Sequence, residues 1–123
     1  MAKLLMLNTF SDNRGDLTVL QEEIGFIVRR LYYIYNVGSD IVRGGHRHRI
    51  NKQALICISG SCKIFVNDSC AKVNYFLDQP DKCLILDPED WHNMYEFSEN
   101  AILLVLASEL YDVNEYIDEP YND

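Results

Sequence analysis

The sequence predicts an all-β domain, a barrel or sandwich of short antiparallel strands, and three observations predict it. Apolar and β-branched residues come in runs of strand length. Turn formers bound each run. No window carries an apolar stripe at helical spacing for three turns. With 123 residues the chain can close one core and not two, so a single domain over residues 1–123 with one pocket is expected.

In chain order, an apolar run at residues 4–7 comes first, and strands are expected at residues 26–28, 31–37, 54–58, 62–66, 73–77, 83–86 and 101–107. Val, Ile, Tyr and Phe recur in them, residue types that suit a pleated, half-buried surface. Ser59-Gly60-Ser61, Asn67-Asp68 and Asp78-Gln79-Pro80-Asp81 sit between successive runs and imply hairpins. Residues 110–117 are the one stretch suited to a short helix, placed outside the barrel. The polar, proline-broken residues 118–123 are expected to fray unless a partner subunit covers them.

Composition sets the outer limits. Apolar residues make up 48% and aromatic residues 11%, ample for a packed core and outside the range of disordered chains. A net charge of −8 argues against DNA, RNA or an anionic membrane as partner. A small anion needs only a local cluster of arginines, and Arg43, Arg47 and Arg49 lie beside two histidines. The apolar runs are far shorter than the roughly 20 residues that span a bilayer, so no transmembrane segment is expected. The 4 cysteines show no C-x-x-C spacing and no apolar leader opens the chain, which fits free thiols in a reducing cytoplasm.

The chemistry concentrates on the 3 histidines, His46, His48 and His92. His46 and His48 are spaced i, i+2, so on a strand both rings share a face. A lone strand histidine is usually a surface or satisfied core residue. Two on one face, flanked by arginines, are costly to bury without a use. The pattern continues through Gln53 to Gly60 and resembles the first motif of the cupin superfamily, which implies a double-stranded β-helix or jelly-roll barrel. Asp87-Pro88-Glu89-Asp90-Trp91-His92 is similar to a shortened second motif, where a third histidine ligand would stand. Metal-binding cupins have a glutamate at the position of Gln53. Neutral Gln supplies neither that charge nor the same affinity, so neither a metal nor another cofactor is expected.

A closer resemblance rests on Arg30-Leu31-Tyr32-Tyr33-Ile34 and Arg43-Gly44-Gly45-His46-Arg47-His48-Arg49. Asn13-Arg14-Gly15-Asp16-Leu17, residues 55–61, Trp91-His92-Asn93-Met94 and residues 105–112 extend it over nearly the whole chain. These pieces resemble the sugar 3,4-ketoisomerases, which act on thymidine-diphosphate-linked 4-keto-6-deoxyglucose. The resemblance implies that the ketone moves from C4 to C3 through an enediol. It also implies a homodimer and a place in the synthesis of a deoxy sugar of a bacterial surface glycan. Arg49 stands where the family usually has lysine, and Gly45 where it often has a bulky residue, which implies a more open pocket wall.

Such a reaction needs a base near neutrality and a stabilised oxyanion. By the resemblance His46 is the base, suited by an imidazole pKa of about 6.5. His48 is the candidate proton shuttle or hydrogen-bond partner of the sugar oxygens. Tyr32 matches the family's pocket tyrosine, and a phenol can donate to a developing enolate. Tyr33 points to the opposite face, so only one of the pair can enter the pocket, and the register is open at this level. Arg14 and Arg43 are the candidates for the diphosphate, because guanidinium forks bind phosphate oxygens in pairs. Trp91 suits a core or rim place better than a catalytic one. Competing readings are another cupin enzyme, either an epimerase of the same nucleotide sugars or a metal-dependent oxygenase, and a non-catalytic sugar-nucleotide binding module.

Overall fold

The computed structural model describes residues 1–121. Among them are β1 (Lys3–Met6), β2 (Asn8–Asp12), β3 (Gly15–Val19), β4 (Arg30–Tyr35), β5 (Arg43–His48) and β6 (Gln53–Ser59). There follow β7 (Cys62–Asn67), β8 (Lys72–Leu77), β9 (Lys82–Leu86), β10 (Trp91–Tyr95), β11 (Ile102–Ala107) and β12 (Tyr116–Ile117). Among the described residues, helix is confined to single 3₁₀ turns at Glu22–Ile24 and Val113–Glu115. One sheet has the order β1-β9-β6-β11-β4, the other β12-β5-β10-β7-β8, and β2-β3 form a separate hairpin. All pairings are antiparallel, as an all-β barrel of hairpins requires.

The central strands of the first sheet, β9, β6 and β11, are buried on both faces, which explains their unbroken apolar runs. Leu55, Cys57, Leu84, Leu103 and Val105 face inward and meet Cys62, Ile64 and Val66 of the second sheet. Their alternate neighbours Ala54, Ile56, Cys83, Ile85 and Leu106 face outward, where Leu7, Ile24 and Phe26 cover them. Of residues 26–28, expected as a strand, only Phe26 joins this cover. Phe26 packs on the outer cluster, Ile27 is exposed, and the chain joins β11 only when the Arg29 amide donates to the Ala107 carbonyl at 2.9 Å. The apolar residues 4–7 pair within the chain, β1 with β9.

Besides β12, four further strands lie where no run suggested them: β2, β3, β5 and β10. Each is polar, glycine-rich or mixed, so none reads as an apolar run. The C-terminal segment also departs from expectation. In place of a separate short helix and a frayed tail, it forms a strap across the barrel mouth. The Glu115 carboxylate accepts from the amides of Ile50 at 2.6 Å and Asn51 at 2.7 Å. Arg49 Nε donates to the Asn114 carbonyl at 2.9 Å, and Trp91 Nε1 to the Asp118 carbonyl at 3.0 Å. The Tyr121 hydroxyl donates to the Glu89 carbonyl at 2.7 Å. The strap is held by hydrogen-bond partners in other elements, which residues 110–121 read alone do not show. Residues 122 and 123 of the expected tail lie outside the described residues.

Candidate active site

A cavity of about 560 Å³ opens between the two sheets, within the range of small-ligand sites. β4 contributes Arg30 and Tyr32, β5 contributes Arg43 and His46, and the strap contributes Tyr116 and Asp118. The strand period decides the tyrosine question. Tyr32 faces the cavity, while Tyr33 is exposed and stacks on Tyr35 at 5.8 Å.

His46 and His48 do share a face, their rings 5.1 Å apart at 85°, but they differ in depth. His46 lines the cavity, whereas His48 is buried and is not part of the wall. His92 of β10 stands opposite His46 in register, with ring centroids 5.2 Å apart, and is fully buried. Burial holds His46 below the ordinary imidazole value, and the Asp118 carboxylate partly opposes that. Burial, with His46 and Arg30 adding to it, pushes His48 down to about 4. Burial likewise pushes His92 down to about 3, against the Asp90 carbonyl at 3.0 Å from Nδ1. All three rings are therefore neutral near pH 7. Neutral imidazole is the form a proton acceptor needs.

The Tyr32 hydroxyl accepts from Gln53 Nε2 at 3.0 Å. Burial raises its phenol to about 12, with Tyr116 adding to that and Arg30 and Gln53 opposing it, so it stays a protonated donor. Arg30 lies over the rings of Tyr32 at 5.2 Å and Tyr111 at 5.8 Å, and its Nε has no hydrogen-bond partner among the described residues. With Arg43 it supplies two guanidinium groups, against which Asp118 is the one carboxylate of the wall among the described residues. The arginine cluster divides its work: Arg43 faces the cavity, Arg47 lies over the Tyr121 ring at 4.6 Å, and Arg49 holds the strap.

Arg14 is elsewhere. It sits in the β2-β3 turn, its guanidinium paired with Asp12 at 2.6 Å, and does not line this cavity. Trp91 is at the rim, where its indole holds the strap. Arg30, Tyr116 and Asp118 were not singled out from the sequence. The signal that was there is the run of tyrosines at 111, 116 and 121 in a segment that otherwise reads as solvated, since three aromatics there need a surface to cover.

The ligand nitrogens of His46, His48 and His92 lie within 4.8 Å of one another, close enough to attract a divalent ion. The cupin metal set also needs an acid, and the residue in its place is Gln53, whose amide is bonded to Tyr32. The residues do not complete that set, and no chemical step below is routed through a metal.

Fold and cavity together define a cupin-type barrel built to take a small anionic ligand beside a neutral histidine. The family model described as FdtA, WxcM-like, C-terminal, matches residues 1–122, and the chain belongs to that family. It is 35% identical over 117 residues to the TDP-4-oxo-6-deoxy-alpha-D-glucose-3,4-oxoisomerase of Aneurinibacillus thermoaerophilus, covering 94% of this chain and 84% of that one. Its structure is similar to a 3,4-ketoisomerase from Helicobacter canadensis, with a TM-score of 0.91, 41% identity, and coverage of 96% of this chain and 90% of that one. It is also similar to the WlaRB TDP-quinovose 3,4-ketoisomerase from Campylobacter jejuni, with a TM-score of 0.92, 40% identity, and coverage of 96% and 92%.

Proposed function

We propose that this protein is a 3,4-ketoisomerase of a thymidine-diphosphate-linked 4-keto-6-deoxyglucose. The observation that carries the reading is one cavity holding a neutral His46, the phenol of Tyr32 and the guanidinium groups of Arg30 and Arg43. His46 takes the C3 proton, which the C4 ketone acidifies. Tyr32, fixed by Gln53, donates to the oxyanion of the resulting enediolate. Arg43 and Arg30 hold the diphosphate, a task suited to groups that keep their charge. A pure binding module would have no need of an unprotonated imidazole beside a buried phenol.

The quaternary proposal is a homodimer. Leu4, Met6, Phe10 and Leu17 are exposed on β1 and the β2-β3 hairpin, and β1 is the edge of its sheet. A second copy covering this face would remove both the apolar exposure and the open edge. Among the described residues no helix is long and apolar enough to cross a membrane. Cysteines 57, 62, 70 and 83 are all free, which supports a place in the cytoplasm, and a role in the synthesis of a surface-glycan deoxy sugar is part of the same proposal.

The test is to follow TDP-4-keto-6-deoxyglucose by NMR in deuterated water with the wild type and a His46→Asn variant, with metal analysis of the same samples. A 3-keto product carrying solvent deuterium, lost in the variant and formed without stoichiometric metal, is the expected result. No turnover and no exchange at C3, with the nucleotide sugar still bound, would sink the reading. Bound iron, manganese or zinc that turnover requires would return the protein to the metal-cupin class.

A further inference from the structure

Moving a ketone from C4 to C3 relocates two protons, one from carbon 3 to carbon 4 and one from oxygen 3 to oxygen 4. His46 serves the carbons. The group that serves the oxygens must reach the same cavity, hold a proton near neutrality and be free to give it up.

His48, the sequence-based candidate, does not meet the first condition. The strap crosses β5 with Tyr116 paired to His48, and the tyrosine ring covers the histidine at 4.8 Å between centroids. Tyr32 does not meet the last. Its burial keeps the proton on, although Gln53 donates to its oxygen. Tyr116 reaches the cavity and keeps its hydroxyl uncommitted. It lines the cavity, its ring lies edge-on to His46 at 4.7 Å and 77°, and its hydroxyl makes no hydrogen bond among the described residues. Its backbone is fixed by pairing to β5 on one side and, through Glu115, to the amides of Ile50 and Asn51 on the other.

We infer that Tyr116 is the acid and base for the sugar oxygens, an assignment that rests on the ketoisomerase reading. As His46 withdraws the C3 proton, the C–H electron pair forms the C3–C4 double bond. The carbonyl π pair moves to O4, giving the enediolate that Tyr32 supports, and Tyr116 then gives O4 its proton. The enediol then collapses in the other direction. The Tyr116 phenolate takes the proton of O3, the C3 carbonyl forms, and the double-bond pair takes the proton held by His46 at C4. Both side chains finish in their starting state, and no oxidant or reductant is consumed.

Tyr116→Phe tests this, since it keeps the ring against both imidazoles and removes only the hydroxyl. In deuterated water the expected result is a fall in kcat of about 10²–10⁴-fold with KM little changed. Deuterium exchange at C3 of unreacted substrate should fall much less, because His46 still takes that proton. Tyr32→Phe should lower exchange and isomerisation together, because both pass through the enediolate that Tyr32 supports. Wild-type turnover by Tyr116→Phe would overturn the assignment, as would equal loss of exchange and isomerisation in that variant, the mark of a packing role. A wild type that neither exchanges nor isomerises would overturn the ketoisomerase reading itself and this assignment with it.

Discussion

Replacing Gly44 with alanine should damage the protein more than replacing its neighbour Gly45, and the difference measures how closely β5 lies on β10. Both glycines have positive φ, 85° and 80°, a region in which an L side chain costs about 1–2 kcal/mol. That cost is common to the two variants. A Cβ on Gly44 would stand 3.1 Å from the His92 carbonyl oxygen and 3.2 Å from the Asn93 Cα, both backbone atoms that cannot swing away. A Cβ on Gly45 would meet only Trp91 Cζ2, at an ordinary 3.9 Å. The extra crowding at Gly44 adds about 1–2 kcal/mol, an overpacking cost. At roughly 3–6 °C per kcal/mol for a domain of this size, Gly44→Ala should melt about 5 °C below Gly45→Ala, with both below the wild type. Thermal unfolding by circular dichroism is the assay. The contact also lies at the β5-β10 register shift, between His92 and Asn93, next to the paired His46 and His92. Parting the strands would displace His46, so turnover of Gly44→Ala should fall at least about tenfold further, since small misplacements are expensive in rate. Equal melting temperatures for the two variants would refute the reasoning.

Three other outcomes follow from the site. The rate should depend on neutral His46, so kcat/KM should be level near pH 7 and fall as pH drops through a value below 6.5. In Asp118→Asn, which removes the carboxylate that raises His46, the acid limb should move further down; an unmoved limb would remove Asp118 from the electrostatics of the base. Arg43→Ala and Arg30→Ala should each weaken TDP binding by about 1.5–3 kcal/mol, read by titration calorimetry, with unchanged affinity showing that the diphosphate binds elsewhere. Glu115→Ala leaves the amides of Ile50 and Asn51 without their acceptor at the root of the strap. Turnover should drop more steeply than melting temperature, because the strap carries Tyr116 and Asp118 but little core; a fall in stability alone would show that the strap does not position them.

Much of the barrel is legible because burial and periodicity coincide there. Residues 54–58, 62–66 and 83–86 are apolar in sequence and are β6, β7 and β9 within a residue or two at each end. Residues 26–28 misled because Phe26, which covers the outer face of a sheet, needs the same apolar character as a strand residue, while Ile27 and Val28 are apolar but exposed. β10 was missed because it alternates buried His92 and Met94 with half-buried polar and aromatic residues, a pattern short of an apolar run.

The sequence by itself determined the chemistry that local spacing can express. An i, i+2 pair places His46 and His48 on one face of a strand, and adjacency forces Tyr32 and Tyr33 apart, because side-chain direction alternates along a strand with the local backbone geometry. Only the tertiary structure decided which of these groups reach the cavity. Depth, cover and partners depend on what other elements lay against the strand. Tyr116 comes to rest over His48 because Glu115, Arg49 and Trp91 fasten the strap to elements up to 65 residues away in sequence. Arg30 becomes a cavity cation because β4 is paired to β11 and faces β5 across the barrel mouth. Contacts of that separation leave no periodic trace in the residues that make them.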